Sequence, residues 1–76
     1  MIKIRDKKFL KTLGTHIKDI RLKKAMSQED LANDADIPIS QIRRIERGEI
    51  NPTVSTLYAI AKALEIHHRE LFDFNL

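Results

Sequence analysis

One segment of the chain carries polar side chains whose types and spacing suit binding to a polyanion. On a helix that turns by about 100° per residue, three arginines fall within about 60° of one serine: Ser40, Arg43, Arg44 and Arg47. Ile42 and Ile45 fall on the opposite side of the same helix. Guanidinium groups bind phosphates and can donate two hydrogen bonds to the O6/N7 edge of guanine. A helix with an apolar rear face and an arginine-bearing front face therefore suits contact with duplex DNA.

The elements that must position this helix are also predicted to be helical. Leu10, Leu13, Ile17 and Ile20 recur at steps of three and four residues and predict a first helix. Two starts are open for it. Asp6 can be its N-cap, or Thr12 can be, in which case the preceding basic residues form an arm.

Cap and breaker residues divide the middle of the chain. Ser27 is a good N-cap for a second helix that ends near Asp36. Pro38 opens the third helix, and Gly48 stops it. Because the second helix is too short to bury the third alone, we expect the two to meet across a tight turn, as in a helix-turn-helix.

Two further helices complete the predicted fold. A fourth opens at Pro52-Thr53, with an apolar face formed by Val54, Leu57, Ile60, Ala61 and Leu64. A last short helix is predicted from His67 or His68 to Phe72. We expect the side chain of Phe72 to lie in the core. About five short helices with very short connections predict an all-α, compact bundle and disfavour a parallel sheet or a barrel.

Composition narrows the function. The chain has 76 residues, enough for one domain, and a formal net charge of +3. Residues 1–25 hold nine Lys and Arg against two Asp, which suits a polyanionic partner but also an ordinary solvated helix face. No cysteine is present, which excludes disulfides and thiolate metal ligands. No apolar run approaches the ~20 residues of a membrane span, and we expect a cytoplasmic protein.

Enzymatic and metal-binding functions have little support in the sequence. No Ser/His/Asp order and no glycine-rich phosphate loop is visible. His16, His67 and His68 lack accompanying ligands and are better explained as helix caps or surface residues. We therefore expect no enzyme, no metal, no cofactor and no small-molecule ligand.

Four fragments, taken in order, carry a family resemblance: Leu13-Gly14-x-x-Ile17-x-x-Ile20-Arg21, Met26-Ser27-Gln28-Glu29-x-Leu31-Ala32, Ile42-x-x-Ile45-Glu46-Arg47-Gly48 and Asn51-Pro52-Thr53-Val54-x-Thr56-Leu57. Together they resemble the Cro/phage-repressor helix-turn-helix family, often called XRE. The resemblance implies a lambda repressor-like DNA-binding domain over residues 12–73. Residues 1–11 are then a basic N-terminal arm or an extension of the first helix, and residues 74–76 are a C-terminal tail.

The resemblance also implies which residues contact DNA, namely Gln28, Ile39, Ser40, Arg43, Arg44, Arg47 and Asn51. Gln28, Arg47 and Asn51 would meet phosphates, and Ile39, Ser40 and Arg44 would read bases, with Arg43 nearby. Plainer explanations stay open for three of them: Gln28 as a helix former, Ile39 as a packing residue and Arg43 as a solvated charge.

Two positions depart from common members of the family, and two others match a pair in it. Ile39 replaces a polar residue, and Asp36 stands where the turn usually has glycine. Arg21 and Glu46 match a pair that forms a partly buried salt bridge between the first and third helices. The role implied for that pair is structural.

The resulting prediction is a sequence-specific, double-stranded DNA-binding transcriptional regulator, with repression favoured. It would act as a dimer on a near-palindromic operator. Phe74 and Leu76 could form a homodimer surface, or they could simply pack onto the first helix. The alternative function is an antitoxin-like or other protein-interaction module whose DNA binding is secondary.

Overall fold

The computed structural model describes residues 4–76, which form helices joined by short turns and loops. Its elements are α1 (Lys7–Lys23), α2 (Gln28–Ala35), α3 (Ile39–Glu46), α4 (Val54–Ala63) and a terminal 3-10 helix (His68–Phe72). No strand occurs within residues 4–76. The predicted all-α bundle is confirmed, with four α-helices and one 3-10 helix where about five helices are predicted. No helix in this part of the chain is both long and apolar enough to cross a bilayer.

The start of α1 is set by Asp6, the first of the two predicted N-caps. Its Oδ1 accepts a hydrogen bond from the backbone N–H of Phe9 at 2.9 Å. Thr12 lies inside the helix, where its hydroxyl donates to the carbonyl of Lys8. The basic residues 7, 8 and 11 are therefore helical, and Lys3 lies outside the described residues.

A reciprocal pair of hydrogen bonds starts α2. The Ser27 hydroxyl accepts from the backbone N–H of Asp30, and the Asp30 carboxylate accepts from the backbone N–H of Ser27, each at 2.9 Å. The Ser27 backbone N–H, and then its hydroxyl, lower the pKa of the Asp30 carboxyl. This pair of hydrogen bonds therefore stabilises α2 fully at a pH above the ordinary pKa of an aspartate carboxyl. The stabilisation is lost as the pH falls through the lowered pKa of Asp30.

The turn between α2 and α3 is closed by an aspartate in a left-handed conformation. Asp36 has φ 57° and ψ 46°, and the next N–H, of Ile37, donates to the carbonyl of Ala32 at 3.0 Å. Aspartate is among the few residues other than glycine that adopt this conformation at moderate cost. The sequence predicts Pro38 to be the first residue of α3. It is instead the N-cap, and the helix begins at Ile39.

The core lies where the five elements meet. Six side chains are less than 2% exposed: Ile17, Leu31, Ile42, Ile60, Leu64 and Leu71. Five of them come from the four α-helices and the 3-10 helix, and Leu64 is the C-cap of α4. Because α3 contributes both Ile42 and Ile45 to this core, its opposite side is left on the surface.

Two apolar residues predicted to pack inward do not. Val54 is 84% exposed because it is the first residue of α4 and extends past the core. Phe72 is 47% exposed, and the 3-10 helix buries Leu71 in its place. Phe74 packs on α1, with its ring centroid 5.4 Å from those of Phe9 and His16.

Candidate nucleic-acid interface

The outer face of α3 carries the polar residues that the helical spacing places together. Ser40, Arg43, Arg44 and Arg47 are all exposed. Ile42, Ile45 and Glu46 are buried beneath them. Ile39, at the start of the helix, is half-buried and packs against the core. The result is a surface with three guanidinium groups and one hydroxyl, held on an apolar base.

A buried ion pair fixes α3 against α1. The Nε of Arg21 donates to Oε2 of Glu46 at 2.7 Å, and its Nη2 donates to Oε1 at 3.0 Å. The remaining terminal nitrogen, Nη1, donates to the carbonyl of Met26 at 2.7 Å. Both side chains are almost fully buried, and no buried side-chain polar atom of the described residues lacks a partner. The pair therefore sets the position of the arginine face through three charge-assisted hydrogen bonds.

The side chain of Gln28 extends this network to α2. Its Nε2 donates to Oε1 of Glu46 at 3.0 Å, and the residue is half-buried. Sequence reasoning missed this contact because Gln28 and Glu46 are 18 residues apart. The phosphate contact implied for Gln28 stays a prediction. In the structure the side-chain amide of Gln28 is bound to the Glu46 carboxylate.

Asn51 lies in the loop after α3 and holds the N-terminal segment. Its Nδ2 donates to the carbonyl of Ile4 at 3.2 Å, and the residue is exposed. The guanidinium of Arg5 donates to the carbonyl of Glu49 in the same loop. The segment before α1 thus lies beside the end of α3. The phosphate contact implied for Asn51 stays a prediction.

One carboxylate on this surface was missed by sequence reasoning. Glu49 accepts a hydrogen bond from Nη2 of Arg47 at 3.2 Å, and its Oε2 lies 2.8 Å from Nε of Arg47 in an ion pair. Its Oε1 also lies 4.0 Å from Nε of Arg44. The available signal was its place directly after Gly48, where a helix-ending turn folds the chain back towards the last helical residues. Arg43, by contrast, makes no ion pair with any residue from 4 to 76.

The three histidines are engaged within the protein. A ring nitrogen of His16 lies 2.7 Å from the carbonyl oxygen of Glu70, which joins α1 to the 3-10 helix. Nδ1 of His67 accepts from the backbone N–H of Arg69 at 3.2 Å and so caps that helix. The His68 ring lies against those of His67 and Tyr58. These contacts are structural.

The fold and this surface define a class of protein. Two short helices, α2 and α3, meet across a three-residue turn, and the second is buried on one side and basic on the other. This is the arrangement of a helix-turn-helix DNA-binding domain, in which the second helix enters the major groove.

Comparisons with known proteins agree with this class. A family model described as helix-turn-helix matches residues 17–71. The control protein C.BamHI of Bacillus amyloliquefaciens is 40% identical over 62 residues, 80% of this chain and 76% of that protein. The immunity repressor of Bacillus phage phi105 is 44% identical over 55 residues, 72% of this chain but only 38% of the repressor.

A solved structure shows the same fold. The restriction-modification controller protein C.Esp1396I, crystallised as a tetramer with its natural 35 base-pair operator, superposes with a TM-score of 0.80. It is 38% identical, and the match covers 86% of each chain. The present chain therefore belongs to the Cro/phage-repressor-like, or XRE, helix-turn-helix family of transcriptional regulators.

Proposed function

We propose that this protein is a sequence-specific regulator of transcription that binds double-stranded DNA by inserting α3 into the major groove. The observation that carries the proposal is the division of α3, with Ile42 and Ile45 buried and three arginines exposed on one face. Occupancy of a promoter would then repress transcription, as the name of the phage relative suggests. The protein is a regulator and not an enzyme, and it works in the cytoplasm with the DNA.

The exposed residues divide into readers and anchors. Arg44 lies near the middle of the outer face, where its terminal nitrogens can reach O6 and N7 of a guanine. Ile39 is near the start of α3, where its side chain can touch a thymine methyl. Gln28, Arg47 and Asn51 flank the face and suit phosphates, which position a protein without reading sequence. Ser40 and Arg43 complete the contact on the groove side.

Replacing Arg44 tests the assignment of the base reader. A selection of bound sequences from a random DNA pool first supplies the operator. We then expect Arg44→Ala to weaken operator binding by about 1–3 kcal/mol and to relax the preference at one base pair. Anisotropy titrations against the operator and its single-base variants measure both effects. Arg69→Ala, at an exposed arginine of the 3-10 helix, is the matched control and should change neither. An unchanged base preference in Arg44→Ala would remove Arg44 from the role.

The regulator is further proposed to act as a homodimer. Val54, Tyr58 and Phe72 are exposed around an apolar cleft between α4 and the 3-10 helix, which is also lined by Leu57 and Leu71. We place the dimer contact on this patch because Phe74, one of the two residues predicted for it, packs on α1 against Phe9 and His16. The tetrameric, operator-bound relative supports self-association in this architecture. Two copies joined near Val54, three residues after Asn51, would present two α3 helices to half-sites about 34–36 Å apart.

Neutral polar substitutions in the patch test the dimer. We expect the V54N/Y58N double variant to shift wild-type dimer, twice the 8.8 kDa chain mass, to monomer in light scattering. Its operator affinity should fall together with the dimer. Leu22→Asn removes an exposed apolar side chain of α1, outside the patch, and should leave the dimer intact. A wild-type monomer that binds neither operator nor random DNA at low salt would instead favour the protein-interaction module.

A further inference from the structure

The carboxylate of Glu49 lies among the arginines that would contact DNA. It accepts one hydrogen bond from Nη2 of Arg47 at 3.2 Å and forms an ion pair with Nε of the same residue at 2.8 Å. It also lies 4.0 Å from Nε of Arg44. Nothing in the proposed contacts with DNA uses this residue. An acidic group also works against binding to a polyanion, so its position on this surface calls for a function.

The backbone places Glu49 against these arginines. Gly48, with φ 72°, ends α3 in a left-handed conformation, and its N–H donates to the carbonyl of Ile45 at 3.0 Å. The N–H of Glu49 then donates to the carbonyl of Arg44 at 2.9 Å. These two bonds form a Schellman motif, which returns the chain over the last turn of α3. The main chain therefore places residue 49 beside the last turn of α3, from where its carboxylate reaches Arg47.

The contacts with Glu49 involve one edge of each guanidinium. Arg47 uses Nε and Nη2 on the carboxylate, and the nearest nitrogen of Arg44 is also its Nε. An arginine has five N–H donors in a planar fork, so hydrogens on the terminal nitrogens of both residues remain available to DNA. Glu49 thus holds Arg47 by a hydrogen bond and lies beside Arg44, while other terminal N–H groups of both side chains stay free for a base or a phosphate.

We propose that Glu49 is a specificity-determining residue, which positions Arg44 and Arg47 for the operator and limits their binding to other DNA. The inference rests on the function proposed above. Binding to random DNA depends almost entirely on phosphate contacts and counterion release. The negative charge of Glu49 opposes that mode on every sequence. At the operator, the same residue contributes by holding the arginines in the geometry needed there, which offsets the repulsion.

Glu49→Gln is the direct test, because it removes the charge and keeps the size of an exposed side chain. We expect binding to a shuffled duplex to strengthen about three- to tenfold at low salt, and operator binding to change by less than about twofold. The ratio of operator to random affinity then falls about three- to tenfold. Fluorescence anisotropy with both duplexes measures it. Asp19→Asn, at an exposed carboxylate of α1 that forms no ion pair among residues 4–76, changes net charge equally and should leave the ratio unchanged.

Two further measurements separate positioning from charge. In the free protein, the Nε–H signal of Arg47 in ¹⁵N NMR spectra should shift in Glu49→Gln and stay unchanged in Asp19→Asn. In an Arg47→Ala background, Glu49→Gln should change the ratio less than it does in the wild type.

An unchanged ratio in Glu49→Gln, or an equal fall in Asp19→Asn, overturns the role of Glu49 while leaving a sequence-specific regulator. A wild-type protein without preference for any selected duplex overturns both that role and the proposed function. The two failures are therefore distinguishable in the wild-type titration.

Discussion

Gly14→Ala is expected to destabilise the fold by about 3 kcal/mol or more, which is a large part of the stability of so small a domain. Gly14 lies on α1 where that helix passes over the end of α3. A Cβ there would meet the carbonyl oxygen of Ile45 and would come within 2.6 Å of the carbonyl oxygen of Glu46. Both neighbours are backbone atoms, so no side-chain rotation relieves the overlap. α1 and α3 would have to move apart, with loss of packing around Ile17 and Ile42.

Urea unfolding followed by circular dichroism measures this loss as a lower midpoint at unchanged slope. Thr15→Ala, at the next and exposed position of α1, is the matched control and should change stability by no more than about 0.5 kcal/mol. A Gly14→Ala protein as stable as the Thr15→Ala protein would show that the two helices can separate at little cost. The close approach would then not fix the position of α3.

Local signals are the part of this structure that the sequence predicts well. Ser27 as an N-cap, Gly48 as a helix end and the apolar spacing of α1 each depend on residues within a few positions. The outward direction of Arg43, Arg44 and Arg47 follows equally from spacing, because Ile42 and Ile45 must face the core. The turn at Asp36 is also explained by a local preference, because aspartate tolerates the left-handed conformation in which glycine is usually found.

Contacts between distant residues could not be predicted from local signals, and only the Arg21–Glu46 pair was expected, from the family resemblance. Val54 matches the apolar spacing of α4, yet it is 84% exposed, because it is the first residue of that helix and extends past the core. Gln28 reaches Glu46 only because α2 and α3 fold together. Ala25 and Glu65 take left-handed conformations with φ 56° and 58°, although neither residue type favours them. Such positions are set by the helices on either side.

The second large expected effect is the loss of stability when one partner of the Arg21–Glu46 ion pair is replaced, because this contact joins α1 to α3. We expect Arg21→Met or Glu46→Leu alone to destabilise the protein by about 3–5 kcal/mol, because each leaves a buried charge without its partner. The double variant R21M/E46L should lose far less than the sum of the two, since it removes both charges. It should still fall below wild type, because the Met26 carbonyl and the Gln28 amide each lose a partner.

A double-mutant cycle in urea measures this coupling, which we expect to be at least about 2 kcal/mol. The exposed pair of Arg47 and Glu49 offers a matched control in the same region, and its cycle should give about 0–1 kcal/mol. Additive losses in R21M/E46L would show that the two side chains contribute through packing and not through their charges. Glu46 also accepts a hydrogen bond from Gln28 on α2, and R21M/E46L removes this bond together with the ion pair. We therefore expect R21M/E46L to be more stable than either single variant but to bind the operator no more tightly. The pair would then be needed to hold the arginine face of α3 in position, beyond what is needed to fold.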